Sequence, residues 1–237
     1  GEIHDYRDVR PPTLGGENSY WPITQTQTEY AGDGTAAGGD RFTFQMTRSN
    51  AVGAPIPELS MCAKFDPATI RVIDQPGYEN RVIDPANGLE VSHTDIPGTP
   101  GSAVTVRTYN EYDNENGFPL GTEFDTPPAQ TMVEGVDYVV EYGTGGYAGP
   151  ADRSGTVQCN NGDSPTGWQT DTGSVPGGPD AITKVRVRML RPLADDEYIK
   201  AWVSFEVRSG LAPGTRIATS SSFNDNWQDP LSPWVYD

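Results

Sequence analysis

The chain has 237 residues and carries 33 Asp and Glu against 16 Lys and Arg, a formal net charge of -17. A surface this acidic repels polyanions, because nucleic-acid binding depends on Lys and Arg neutralising phosphates, so nucleic acid and anionic membranes are excluded as partners. With 35% hydrophobic residues, 27 Gly, 21 Pro and 5 Trp, the composition is that of a folded, loop-rich domain, and no apolar run approaches the roughly 18 residues of a membrane-spanning helix.

In chain order, residues 1–32 include "RPPTLGGENSYWPITQTQ", whose closely spaced Pro and Gly predict an extended arm. Period-2 alternation follows in "RFTFQMTR" (41–48), with Phe42, Phe44 and Met46 opposite Arg41, Thr43, Gln45 and Thr47. Strands are also predicted at 68–74, 89–94, 103–109, 136–142 and 182–190, each bounded by Gly, Pro, Asn or Asp. Residues 194–209 lack Gly and Pro and could open a helix with Asp-Asp-Glu. The strict alternation of Ile199, Ala201, Val203, Phe205 and Val207 with polar or aromatic neighbours predicts a strand instead, and it turns Trp202 outward, where a loop or partner must cover it. A Pro-Gly turn at 212–215 then feeds a last strand over 215–223, with Ile217 and Phe223 facing in.

Together these signals predict an all-β fold, an antiparallel Ig-like β-sandwich of about eight to ten strands spanning residues 33–226. Long insertions at about 110–131 and 143–180 exceed ordinary hairpin connections and are the first places to look for function. Residues 227–237 form a C-terminal tail, and 226–237 are expected to lie along an edge strand of a neighbouring molecule.

The stretch 179–223 is similar to the C-terminal half of a conserved repeat domain of unknown function found in bacterial and archaeal surface proteins, common in actinobacterial walls. Pro192-Leu193, Ala212-Pro213-Gly214-Thr215 and Ala218-Thr219-Ser220 fill that pattern's turns and final strand, and residues 36–55 resemble its opening strand. The resemblance implies an Ig-like sandwich in a cell-surface or cell-wall setting and brings no catalytic residues. The insertions between 74 and 180 and the Pro-rich arm depart from the family, which points to a specialised head or assembly subunit.

Cys62 and Cys159 are the only cysteines, and neither has zinc-ligand spacing. An even count in a chain expected to be exported suggests one disulfide, the alternative being two unrelated buried thiols. No charged-apolar-small leader precedes Gly1, so the expectation is a mature or excised extracellular segment, and the lack of an N-x-S/T sequon gives no support to a eukaryotic glycoprotein. His4 and His93 sit outside any triad-like arrangement, and no nucleophile, zinc or nucleotide motif is present, so no enzyme is expected.

Calcium is the metal expectation. Asp113, Glu115 and Asn116 place hard oxygen ligands just before Gly117, with Asp225, Asn226 and Asp229 a second cluster, against the simpler reading of solvated acidic turns. Loop aromatics Trp168, Trp227 and Trp234, with Trp21 and Tyr147, could stack on glycans or partner proteins, or plug the ends of the sandwich. An intramolecular isopeptide bond is not expected, since alternation turns Lys184 and Lys200 outward and leaves Lys64 the sole candidate. The reading is a non-enzymatic, extracellular structural or adhesive subunit that contacts itself or other surface proteins, the alternative being a carbohydrate-binding module.

Overall fold

A computed structural model describes residues 2–5, 24–26, 41–50, 54–75, 78–83, 90–95, 101–110, 130–146, 159–195, 197–211, 216–226 and 235–236, with backbone course alone at 2–5, 24–26, 41–42, 49, 78–83, 90–95, 109–110, 130–131, 216–218 and 235–236. The strands are β1 (Glu2–Asp5), β2 (Thr24–Thr26), β3 (Arg41–Asn50), β4 (Ser60–Phe65), β5 (Ile70–Val72), β6 (Tyr78–Ile83) and β7 (Glu90–Asp95), followed by β8 (Val104–Asn110), β9 (Gln130–Thr131), β10 (Tyr138–Gly143), β11 (Lys184–Met189), β12 (Glu197–Val207), β13 (Arg216–Asn224) and β14 (Val235–Tyr236).

Two antiparallel six-stranded sheets pack as a β-sandwich. One runs β1-β3-β12-β8-β9, with β5 also on β12; the other runs β10-β11-β4-β13-β14, with β2 also on β13. Strands β6 and β7 form a separate hairpin pair. Nine of these strands have six residues or more, and the five shorter ones (β1, β2, β5, β9 and β14) mostly lengthen or trim edges.

The inner faces follow the alternation in the sequence. Phe44, Met46, Val104, Val106, Ile199, Ala201, Val203 and Phe205 from the β12 sheet meet Met61, Ala63, Phe65, Tyr138, Val140, Val185 and Val187 from the β4 sheet. Phe65 and Phe205 touch edge-on across the gap, their centroids 4.8 Å apart, an arrangement that matches one ring's positive edge to the other's negative face. The 194–209 stretch is a strand as expected, and it is the central one of its sheet, flanked by β3 on one side and by β8 and β5 on the other.

Strand β4 has no counterpart among the expected elements. Its sequence, Ser-Met-Cys-Ala-Lys-Phe, is buried at every position, so neither face is solvated, and its weak alternation, with small Ala63 on one face and Cys62 on the other, carries little polar-apolar contrast. Burial also changes the meaning of "outward" elsewhere. Trp202 stands at an outward register position and is 0% exposed, and its neighbours Thr43, Gln45, Thr105, Lys200 and Ser204 are buried too. Lys64 and Lys184, cross-strand partners on the outer face of the other sheet, are likewise buried.

The terminal segments return to the sandwich. β1 pairs with β3, β2 with β13, and β14 with β13, placing Tyr236 opposite Ser222 and Val235 opposite Phe223. Of the tail expected along a neighbour's edge, residues 235–236 pair with the chain's own β13, and residues 227–234 lie outside the described residues. Phe223 packs against the core as expected. The side chain of Ile217 and the 212–215 turn lie outside the described residues.

Candidate functional site

Three of the residues singled out in the sequence come together on the outer face of the β4 sheet. Cys62 and Cys159 form a disulfide with a sequence separation of 97, and the Trp168 ring packs against it. Residues 159–168 of the long insertion between β10 and β11 lie over this face as a cover, while Val175 and Ile182 farther along join the sandwich core.

Local structure in the cover comes from short turns. Asn160 and Asp163 bond reciprocally, the Asn160 amide donating to the Asp163 carboxylate at 2.7 Å and the Asp163 amide to the Asn160 carbonyl at 3.0 Å, which shapes a single 3-10 turn over Asn161–Asp163. Beyond the cover, a second turn at Thr172–Ser174 is capped by the Asp171 carboxylate, which accepts from the Ser174 amide. Backbone bonds then fasten the cover to the sheet edge. Tyr142 and Gln169 exchange two hydrogen bonds, of 2.7 and 3.0 Å, and the Thr183 amide donates to the Gly143 carbonyl. Ser164 Oγ accepts from the Thr144 amide and donates to the Gly167 carbonyl.

Two glycines make the close approach possible. A Cβ on Gly143 would stand 2.9 Å from Trp168 Cζ3, and one on Gly146 would stand 2.7 Å from Lys184 Cε and Nζ. Gly146 also has φ +74°, a left-handed backbone that other residues adopt at a cost.

Beneath the cover lies Arg186, 2% exposed. Its Nε donates to Glu141 Oε2 at 2.8 Å, its Nη1 to the Cys159 carbonyl, and its Nη2 to Asn161 Oδ1 at 3.2 Å. Its guanidinium carbon sits 4.1 Å from the Trp168 ring centre, a cation-π contact strengthened by desolvation. Arg188 completes the group, donating from Nε and Nη2 to Glu141 at 2.6 and 2.8 Å. Lys184 donates from Nζ to the Asp163 carbonyl at 2.7 Å. One guanidinium thus joins the sheet, the turn at 161–163, the disulfide half-cystine and the tryptophan.

The electrostatics follow from burial and pairing. Burial would push the Glu141 carboxyl up, but the hydrogen bond from Arg188 and the charges of Arg186 and Arg188 outweigh it and hold the carboxyl below its ordinary value. Burial pushes Lys184 down, with Asp163 opposing and the neighbouring Lys64 adding to the shift. Burial likewise pushes the Tyr142 phenol up; its oxygen accepts from the Ala103 amide in the interior.

A second polar group closes one end of the sandwich. Arg191 donates from Nη1 and Nη2 to Glu197 at 2.9 and 2.6 Å, the Ala194 amide donates to the same carboxylate at 2.8 Å, and the Asn50 amide group donates to the carbonyls of Ala54, Leu193 and Ala194.

Trp168 stays within this site, and the other candidates separate from it. Trp168 Nε1 donates to the Asn160 carbonyl at 3.0 Å and one ring face is taken by Arg186, so this aromatic is drawn into the cover. Trp227 and Trp234, with Trp21 and Tyr147, lie outside the described residues, as do Asp113, Glu115, Asn116 and Asp229. Asp225 instead pairs with Arg48, whose Nη2 stands 2.7 Å from Asp225 Oδ2 and whose guanidinium lies over the Phe223 ring. Among the described residues no group of three or more His, Cys, Asp or Glu is placed to hold a metal ion, and no helix is long and apolar enough to cross a membrane. The buried network of Arg186, Glu141 and Arg188 carries no sequence motif; its only trace is three basic residues alternating along one strand beside an insertion. No family model matches the chain, and no curated protein or solved structure matches it either.

Proposed function

We propose that the chain is a non-enzymatic extracellular subunit of a bacterial cell surface, structural or adhesive in role, which contacts copies of itself or neighbouring surface proteins. The observation that carries this reading is the covalently pinned cover. A disulfide closing 97 residues is a device of oxidising compartments, and here it is used together with a buried ion-pair group to fasten an insertion flat against a sheet. The polar side chains of the site are spent on one another: Glu141 on two arginines, Arg186 on four partners and Lys184 on a carbonyl. Such an arrangement favours persistence of shape over turnover. The similarity of 179–223 to surface repeats points the same way, and the acidic residues at 113–116 make Ca²⁺ a candidate modulator of contacts between like-charged copies.

Size-exclusion chromatography with light scattering, with and without Ca²⁺, tests the assembly part of the reading. Species heavier than one chain, growing with protein concentration, are expected. A monomer at every concentration in both conditions overturns self-assembly. A flat calorimetric titration with Ca²⁺ removes the metal.

A further inference from the structure

We propose that β1 is an exchangeable strand, and that the partner fitting the β3 edge in an assembly is the β1 segment of a second copy of this chain. The proposal rests on the self-assembling reading above and names the edge and the register it uses.

The acceptor edge is fixed without β1. β3 is held through ten register pairs to the central strand β12, from Glu197 opposite Asn50 to Glu206 opposite Arg41, and Arg48 ties it to Asp225 at the end of β13 in the other sheet. Phe44 and Met46 of β3 are buried in the core. A ten-residue edge of this kind, rigid and free of proline, presents a row of backbone donors and acceptors that recruits a strand. β1 supplies only four residues of it, Glu2 opposite Thr47 through Asp5 opposite Phe44, and pairs with no other strand among the described residues.

The tether sets what β1 can reach. β1 and β2 are separated by residues 6–23, which span at most roughly 60 Å of chain. A folded domain of this length has a radius of gyration of only about 18 Å, so the edge of an adjacent molecule falls within that reach. β14 differs in its tether: residues 225–234 join it to the strand it pairs with, whereas β1 is joined through the longer segment 6–23 to β2, which is placed on the opposite sheet from the edge that β1 occupies. A β1 segment from a second copy makes the same ladder in the same register, so the choice between own and foreign edge is one of effective concentration, on the order of millimolar for a short tether. Each copy gives one strand and accepts one, a head-to-tail contact that extends into a chain unless the rotation closes it.

The test mixes two singly substituted proteins, Glu2→Cys and Thr47→Cys, at a protein concentration of about 1 mM, the scale of the tether's effective concentration. In this mixture a disulfide between positions 2 and 47 can form only between copies. A cross-linked pair mapped to those positions is expected, together with its loss when Ile3→Pro is added to the Glu2→Cys protein and its absence when Val133→Cys, at an exposed site, replaces Thr47→Cys. The double variant Glu2→Cys/Thr47→Cys reports the closed form. If light scattering shows assemblies while only the double variant cross-links, within single chains, strand exchange is overturned and self-assembly through another surface stands. If the wild-type chain is monomeric at all concentrations, both fall.

Discussion

Arg186 is buried beneath a cover on an otherwise acidic chain, and its charge is tolerable there because Glu141, two oxygen acceptors and an aromatic face surround it. Removing Glu141's charge leaves two arginines without their shared counter-ion, so Glu141→Gln is expected to cost about 3–5 kcal/mol, read as a lower denaturant midpoint. The pH dependence follows from the same pairing. Glu141 and Glu197 both have folded pKa values below their ordinary ones, so their contribution is present above the unfolded carboxylate value of about 4.3 and is lost as pH falls through the depressed values. Asp74, raised by burial, acts in the opposite sense and limits the effect. Stability should therefore decline in acid, below about pH 4, and the decline should be shallower in the Glu141→Gln protein; equal acid slopes in urea titrations would show that this carboxylate is not the linked group.

At the scale of elements, the cover depends on both its covalent pin and its backbone bonds. Replacing Cys62 and Cys159 by Ser removes a loop constraint worth about 4–5 kcal/mol by chain entropy. Hydrogen exchange should then accelerate first at the Tyr142, Gln169 and Thr183 amides, which tie the cover to the edge of β10; uniform acceleration through β12 as well would mean that the cover and the core open together. The limits of sequence reading are of the same kind. Alternation found β3, β8, β10, β11 and β12 because each presents one strongly apolar face to the core. It missed β4, where Ser60, Cys62 and Lys64 are roofed over and both faces are interior. It also placed Lys184 correctly on the outer face while treating that face as wet. What covers a sheet is set by long-range contacts of an insertion rich in Gly and Pro, whose local pattern carries no period. The two cysteines were the single legible clue that residues around 159 return to residues around 62, and Trp168 joined them through packing that no spacing announces.

For the whole molecule, a net charge of -17 sets how copies meet. Like-charged particles repel over a Debye length of about 10 Å at 0.1 M salt and farther in dilute buffer. Association should therefore strengthen as ionic strength rises from low to physiological values, and light scattering across a salt series would detect it; weakening with salt would instead indicate contacts between opposite charges. The disulfide adds a consequence of a different sort for a molecule held at a surface and pulled along its backbone. Tension entering at β3 and leaving at β13 passes from Cys62 to Cys159 through sulfur, so the strands from β5 to β10 lie outside the line of force. Roughly 330 Å of chain that rupture of the sandwich would otherwise release stays locked, and an overloaded subunit lengthens by that much less before it recoils.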